Sequence, residues 1–171
     1  MTVIAVPALI LGAGALVAAL LADSGGSSVH PVNVLPGFRA VSDGYFAYAV
    51  PATWSQSSAY TDDVGDLDTQ GASGWVAEHL AARTSPPGPN EAAPAVFATF
   101  GEPRPVPYQL GPATPVEVKG AAVAYRYPVT RPDGFRGVAV DAWQSRSGAE
   151  IWLLVHTDTG TTESVISSLS G

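Results

Sequence analysis

Two short turns in the last third of the chain restrict its folding more than any other feature. RPDG, residues 131–134, puts proline where φ must be fixed and glycine where the backbone must relax. SRSG, residues 145–148, is a second turn of the same length. Around them lie VEVKGAAVAYRYPV (116–129), FRGVAVDAWQ (135–144) and AEIWLLVHT (149–157), stretches rich in β-branched and aromatic residues. Loops this short join antiparallel neighbours. Residues 116–157 are therefore expected to form a three-stranded meander, with the nearly all-apolar third strand in a central place. If Gln144 pairs with Ala149 across SRSG, Trp143 stands opposite Glu150 and Asp141 opposite Trp152. The two acids are then diagonal neighbours on one face, ~7–8 Å apart.

The preceding residues are punctuated differently. In GYFAYAVPATW, residues 44–54, Phe46, Tyr48 and Val50 alternate with Tyr45, Ala47 and Ala49, and Pro51 ends the strand. Trp54 is expected to fold back over that end. YTDDVGDLDT (60–69) is acidic and turn-rich; WVAEHLAAR (75–83) has helical residue types but a strand-like alternation, and strand is the reading adopted. TSPPGPNEAAP (84–94) is a loop by its proline and glycine content, AVFATF (95–100) a short strand, and the proline-rich 101–115 extended. TTESVISSL (161–169) closes the chain as a helix. Thr161 is its expected cap, Glu163 suits its N-terminal dipole, and Val165, Ile166 and Leu169 form its apolar face. The fold class is thus α+β, an antiparallel sheet partly covered by a C-terminal helix.

The first 22 residues follow another logic. Residues 2–22 carry no charge, long enough to cross ~30 Å of hydrocarbon at ~1.5 Å per residue. An isolated span satisfies its backbone only as a helix. A cleaved signal peptide has a basic lead and a shorter apolar core; here the lead is missing and the core is long, so a retained transmembrane anchor fits better, with secretion after cleavage as the alternative. Arg39 is the nearest basic residue, leaving orientation without its usual determinant. That lack is expected of a chain whose true start lies upstream, with a basic leader. Three segments follow: an anchor or signal (1–22), a flexible tether (23–43) opening with DSGGSS, and an extracytoplasmic domain (44–171).

Charge and residue inventory exclude several chemistries. The net charge is −7, and the eight basic residues are scattered rather than clustered. Nucleic-acid affinity rests on basic residues neutralising phosphates, so that class is excluded. There is no cysteine, hence no disulfide, thiolate ligand or lipid-bearing thiol. GASGW (71–75) places Ser73 between glycines, but not at the spacing of a hydrolase elbow. Asp62, Asp63, Asp66 and Asp68 invite calcium, yet the sixth position from Asp62 is Leu67 and the twelfth is Ser73, so the loop pattern fails. Neither phosphate-cradle motif occurs in the domain. Asp141 and Glu150 have a spacing that a glycosidase would accept, but nothing else marks a sugar cleft. No catalytic residue, metal or cofactor is assigned.

A strand followed by VPATW, then irregular acidic and proline-rich segments, then a meander opening at VKGAAVAYRY and a close at ESVISSL resembles the PsbP-like fold. It is similar in particular to the exported or membrane-anchored LpqN-type domains of high-GC Gram-positive bacteria. The resemblance spans roughly residues 44–170 and implies a noncatalytic adaptor or binding domain. Members of that group often carry a lipobox cysteine, for which this chain substitutes a plain span. The expected function is a membrane-anchored interaction domain of the cell envelope whose partner is an envelope protein. The alternative is a domain that binds a lipid or glycan through an aromatic groove. Tyr48, Trp54, Trp75, Trp143, Trp152 and His156 are the candidate lining; the competing reading makes these aromatics core. Trp152, Leu154 and His156 share a face with Glu150, so that face is expected to meet water.

Overall fold

The computed structural model describes residues 30–57, 67–92 and 108–171. The span at 2–22, the acids Asp62, Asp63 and Asp66 and the AVFATF strand lie outside the described residues. Among the described residues no helix is long and apolar enough to cross a membrane.

The strands, in chain order, are β1 (Phe38–Ser42), β2 (Ala47–Pro51), β3 (Ser55–Ser57), β4 (Leu67–Gly71), β5 (Gly74–Ala82), β6 (Gln109–Leu110), β7 (Thr114–Pro115), β8 (Val123–Thr130), β9 (Arg136–Trp143) and β10 (Ala149–His156). One helix, α1 (Thr159–Ser168), follows. Strands β3-β4-β5-β10-β9-β8 lie side by side in an antiparallel sheet, with β6 and β7 both on the outer edge of β8. The meander is β8-β9-β10, and β10 is central, between β9 and β5. Its register is the one SRSG dictates: the Gln144 amide donates to the Ala149 carbonyl at 2.8 Å, Trp143 faces Glu150 and Asp141 faces Trp152.

Two elements depart from the sequence reading. The first meander strand begins at Val123, not at Val116. A turn intervenes at Gly120, whose φ of +85° is open to glycine and strained for other residues. A side chain there would also strike the Gly171 carbonyl. The helix is capped by Asp158 rather than Thr161, its carboxylate accepting the Thr161 amide at 3.0 Å. Aspartate reaches the free amides of a first turn, and the chain supplies one directly after β10.

The body also starts earlier than Gly44. β1, inside the expected tether, pairs with β2 in a two-stranded hairpin. Asp43 makes the bend by accepting the amides of Tyr45 and Phe46, both at 2.6 Å. The hairpin and α1 form the second layer. α1 runs beside β2, where Ser168 Oγ accepts the Ala49 amide at 2.7 Å and Ser170 pairs with Ala47. Phe46, Tyr48 and Val50 pack with Val165, Ile166 and Leu169 against Val76, Val140, Ile151, Leu153 and Val155 of the sheet, forming the main core. The helix and the hairpin share the cover of this face.

Candidate functional site

Strand alternation divides the sheet into two faces. The covered face carries Val76, Glu78 and Leu80 from β5 and Ile151, Leu153 and Val155 from β10. The opposite face carries Trp75, Ala77 and His79 from β5, Glu150, Trp152, Leu154 and His156 from β10, Asp141 and Trp143 from β9, and Tyr125 and Tyr127 from β8.

The six candidate lining residues therefore do not line one groove. Tyr48 and Trp54 are buried in the main core. The Trp54 indole lies flat against Gly71, where any side chain would collide with it, and its N–H donates to Ser73 Oγ at 3.3 Å. Ser73 is thus a turn serine. Trp75, Trp143, Trp152 and His156 share the opposite face, but Trp143 and Trp152 are buried there rather than wet. The face does not present Glu150 to water as expected, because Glu150 is itself 6% exposed.

What buries it is the loop after β5, residues 84–91. Arg83 fastens this strap to the sheet. Its guanidinium donates to Glu150 Oε1 at 2.8 Å and grips both oxygens of Glu91 at 2.9 and 3.1 Å. Glu91 also accepts the Gly88 amide at 3.1 Å. These bonds hold the Glu91 carboxyl below its ordinary range, Arg83 first and Gly88 second. The Trp143 indole donates to the Arg83 carbonyl at 3.3 Å, and the Tyr127 hydroxyl reaches the Gly88 carbonyl at 3.5 Å. Pro87 is buried. Beneath lies Tyr127, stacked on Trp152 with centroids 5.6 Å apart.

Asp141 sits in this enclosure with no exposed surface, its carboxyl set against that of Glu150, to which only its protonated form can donate. Burial first, and the nearby Glu150 second, push its carboxyl up to about 8. It is therefore mainly protonated at neutral pH. Burial and the same acids raise the Tyr127 phenol to about 12. The diagonal placing of Asp141 and Glu150 was readable from the register, but Arg83 and Glu91 were not read as part of the group. The signal was an arginine directly before a proline-rich loop with an acid eight residues on.

Farther along the same face runs a half-buried aromatic row. Phe135 stacks on Trp75 at 5.7 Å, meets His156 at 4.6 Å and takes Tyr108 edge-on at 5.2 Å. Arg131 caps Tyr108 and Phe135 at 5.3 and 5.2 Å. Nδ1 of His156 donates to the Arg136 carbonyl at 2.8 Å, which fixes the ring.

A second polar group is buried on the covered face. Tyr48, Thr69 and Glu78 lie together inside the core, each at most 1% exposed. Burial first and Glu78 second raise the Tyr48 phenol well above its ordinary range. Among the described residues no group of three or more His, Asp or Glu is arranged to hold a metal ion.

Comparison with known proteins defines the fold. No family model and no curated protein matches this chain. Among solved structures it is similar to cyanobacterial PsbP (CyanoP) from Synechocystis sp. PCC 6803, with a TM-score of 0.52 and 14% identity over 79% of this chain and 92% of that one. The fold is PsbP-like.

Proposed function

We propose that this chain is a noncatalytic, extracytoplasmic interaction domain of a bacterial cell envelope, held at the membrane by residues 2–22. Kinship with LpqN-type domains of high-GC Gram-positive bacteria belongs to the same reading. The observation that carries it is a PsbP-like body, matched over 92% of the cyanobacterial protein, joined to an uncharged segment of membrane-spanning length. The enclosure of Asp141 and Glu150, with Glu150 engaged by Arg83, favours binding over turnover at that pair.

The test is fractionation of cells expressing the full chain, protease shaving of intact cells, and capture of crosslinked partners with mass spectrometry. Recovery in membranes, cleavage from outside and a reproducible envelope partner are expected. A protease-protected chain free in the cytosol overturns the proposal.

A second reading, binding of a lipid or glycan, is favoured by the half-buried row of Trp75, Phe135, Tyr108 and His156. Titration of oligosaccharides and lipid micelles into wild type and Trp75→Ala, followed by tryptophan fluorescence, separates the two. Saturable binding that Trp75→Ala abolishes supports this reading.

A further inference from the structure

The strap and the carboxyl beneath it make a device that neither functional reading requires. Residues 84–91 contain three prolines and a glycine, and no regular secondary structure anchors them. Their fastening is electrostatic: one guanidinium shared between Glu91 on the strap and Glu150 on β10. Diagonal to Glu150, on the neighbouring strand, is Asp141, wholly buried, where its neutral form can bond to Glu150 and its ionised form cannot.

We propose that residues 84–91 are a pH-operated strap, which closes over Tyr127 and Trp152 while Asp141 is protonated and opens as rising pH drives Asp141 to ionise.

The argument is one of solvation. A neutral carboxyl is tolerated in a dry site, whereas a carboxylate beside a second carboxylate is not. Opening the strap admits water to Asp141 and relieves it. The groups facing Asp141 are Glu150 from β10, Arg83 from the end of β5, Glu91 from the strap, and Tyr125 and Tyr127 from β8. His79 of β5 lies beyond Trp152 on the same face. Among these only Arg83 favours the ionised form, and its guanidinium is already shared between two acids. Closed, Asp141 titrates near 8; open and wet, it returns toward its ordinary 3.8. Between those values each pH unit raises the open-to-closed ratio by up to about tenfold, and above the upper one the ratio levels off. In strong acid the strap loosens for a different reason, because Glu91 protonates and lets go of Arg83 and Gly88.

Hydrogen exchange on the full chain in detergent reads this directly. The observable is protection of the Gly88 amide, corrected for its intrinsic rate and divided by that of α1. From about pH 5 to pH 8 this ratio should fall at least about tenfold in wild type. In Asp141→Asn it should change less than about twofold. In Glu91→Gln it should be low throughout, with α1 unaffected. A wild-type ratio independent of pH, or an equal fall in Asp141→Asn, overturns the proposal. Should Asp141→Asn fail to protect α1, carboxyl-carbon NMR of wild type decides. An Asp141 titration coinciding with displacement of the Gly88 amide supports the strap; one in the ordinary carboxyl range, or apart from Gly88, removes it.

Discussion

The two faces of the sheet are closed by different means. On one, β1, β2 and α1 lay continuous secondary structure over Val76, Ile151, Leu153 and Val155. On the other, described residues 84–91 lie over Tyr127 and Trp152 through an arginine held between two carboxylates. Each face also buries an acid. Glu78 lies with Tyr48 and Thr69 in the main core, and Asp141 lies behind the Arg83 fastening. The lesson is that the first face is closed by regular elements packed on an apolar core, whereas the second adds an ion-paired strap to an aromatic cluster of its own.

That contrast can be attacked by mutation. Phe46 is wholly buried between the layers, so Phe46→Ala should cost about 3–5 kcal/mol in urea unfolding at a fixed pH. A loss below about 1 kcal/mol would show that the hairpin is not integral to the core.

Asp141 comes next. Its folded-state titration lies above its ordinary value, so the folded state holds that proton longer than the unfolded chain. Stability from this group is complete in acid and is lost as pH rises from about 4 to about 8, at up to ~1.4 kcal/mol per unit. Glu91, Glu163 and Asp158 act oppositely, since each is held below its ordinary range and loses its contribution as pH falls. Urea midpoints should therefore peak on the acid side of neutrality. Asp141→Asn should flatten the alkaline flank, and a flank unchanged in that variant would remove Asp141 as its cause.

Smaller effects mark the first face's boundary. Asp158→Ala removes the cap of α1 and should lower the midpoint of thermal melts, with the transition otherwise unchanged in shape. Glu163→Gln breaks the Arg126 pair, which bonds at 2.9 Å but lies largely in water. It should cost less than about 1 kcal/mol, and added salt should erase the difference.

The sequence made the meander legible because its turns are short and their chemistry is local. SRSG fixes one pairing, alternation carries that pairing along both strands, and Asp141 and Glu150 fall on one face as a consequence. The β1–β2 hairpin was harder to see. Its strands have five residues each, and the Asp43 bend is a side-chain device hidden in a polar stretch. The sequence reading puts the cap at Thr161, three residues beyond the observed cap Asp158. Strand phase grouped Tyr48 and Trp54 with the other aromatics by type, but phase cannot say which layer a strand joins. Glu150 was read as a mark of solvent because its neutraliser, Arg83, lies 67 residues away in sequence. Charge partners at that distance leave no periodic trace.

At one corner of the body the His30 amide donates to the Gly171 carbonyl at 3.2 Å, and His30 Nδ1 meets the same oxygen at 2.5 Å. Residues 30 and 171 thus touch, so a short peptide can splice them. Reopening the loop at the exposed Ser145–Ser147 turn yields a rearranged chain order that retains every strand neighbour. Among the described residues from 30 onward, only the β9–β10 connection then changes from covalent to spatial.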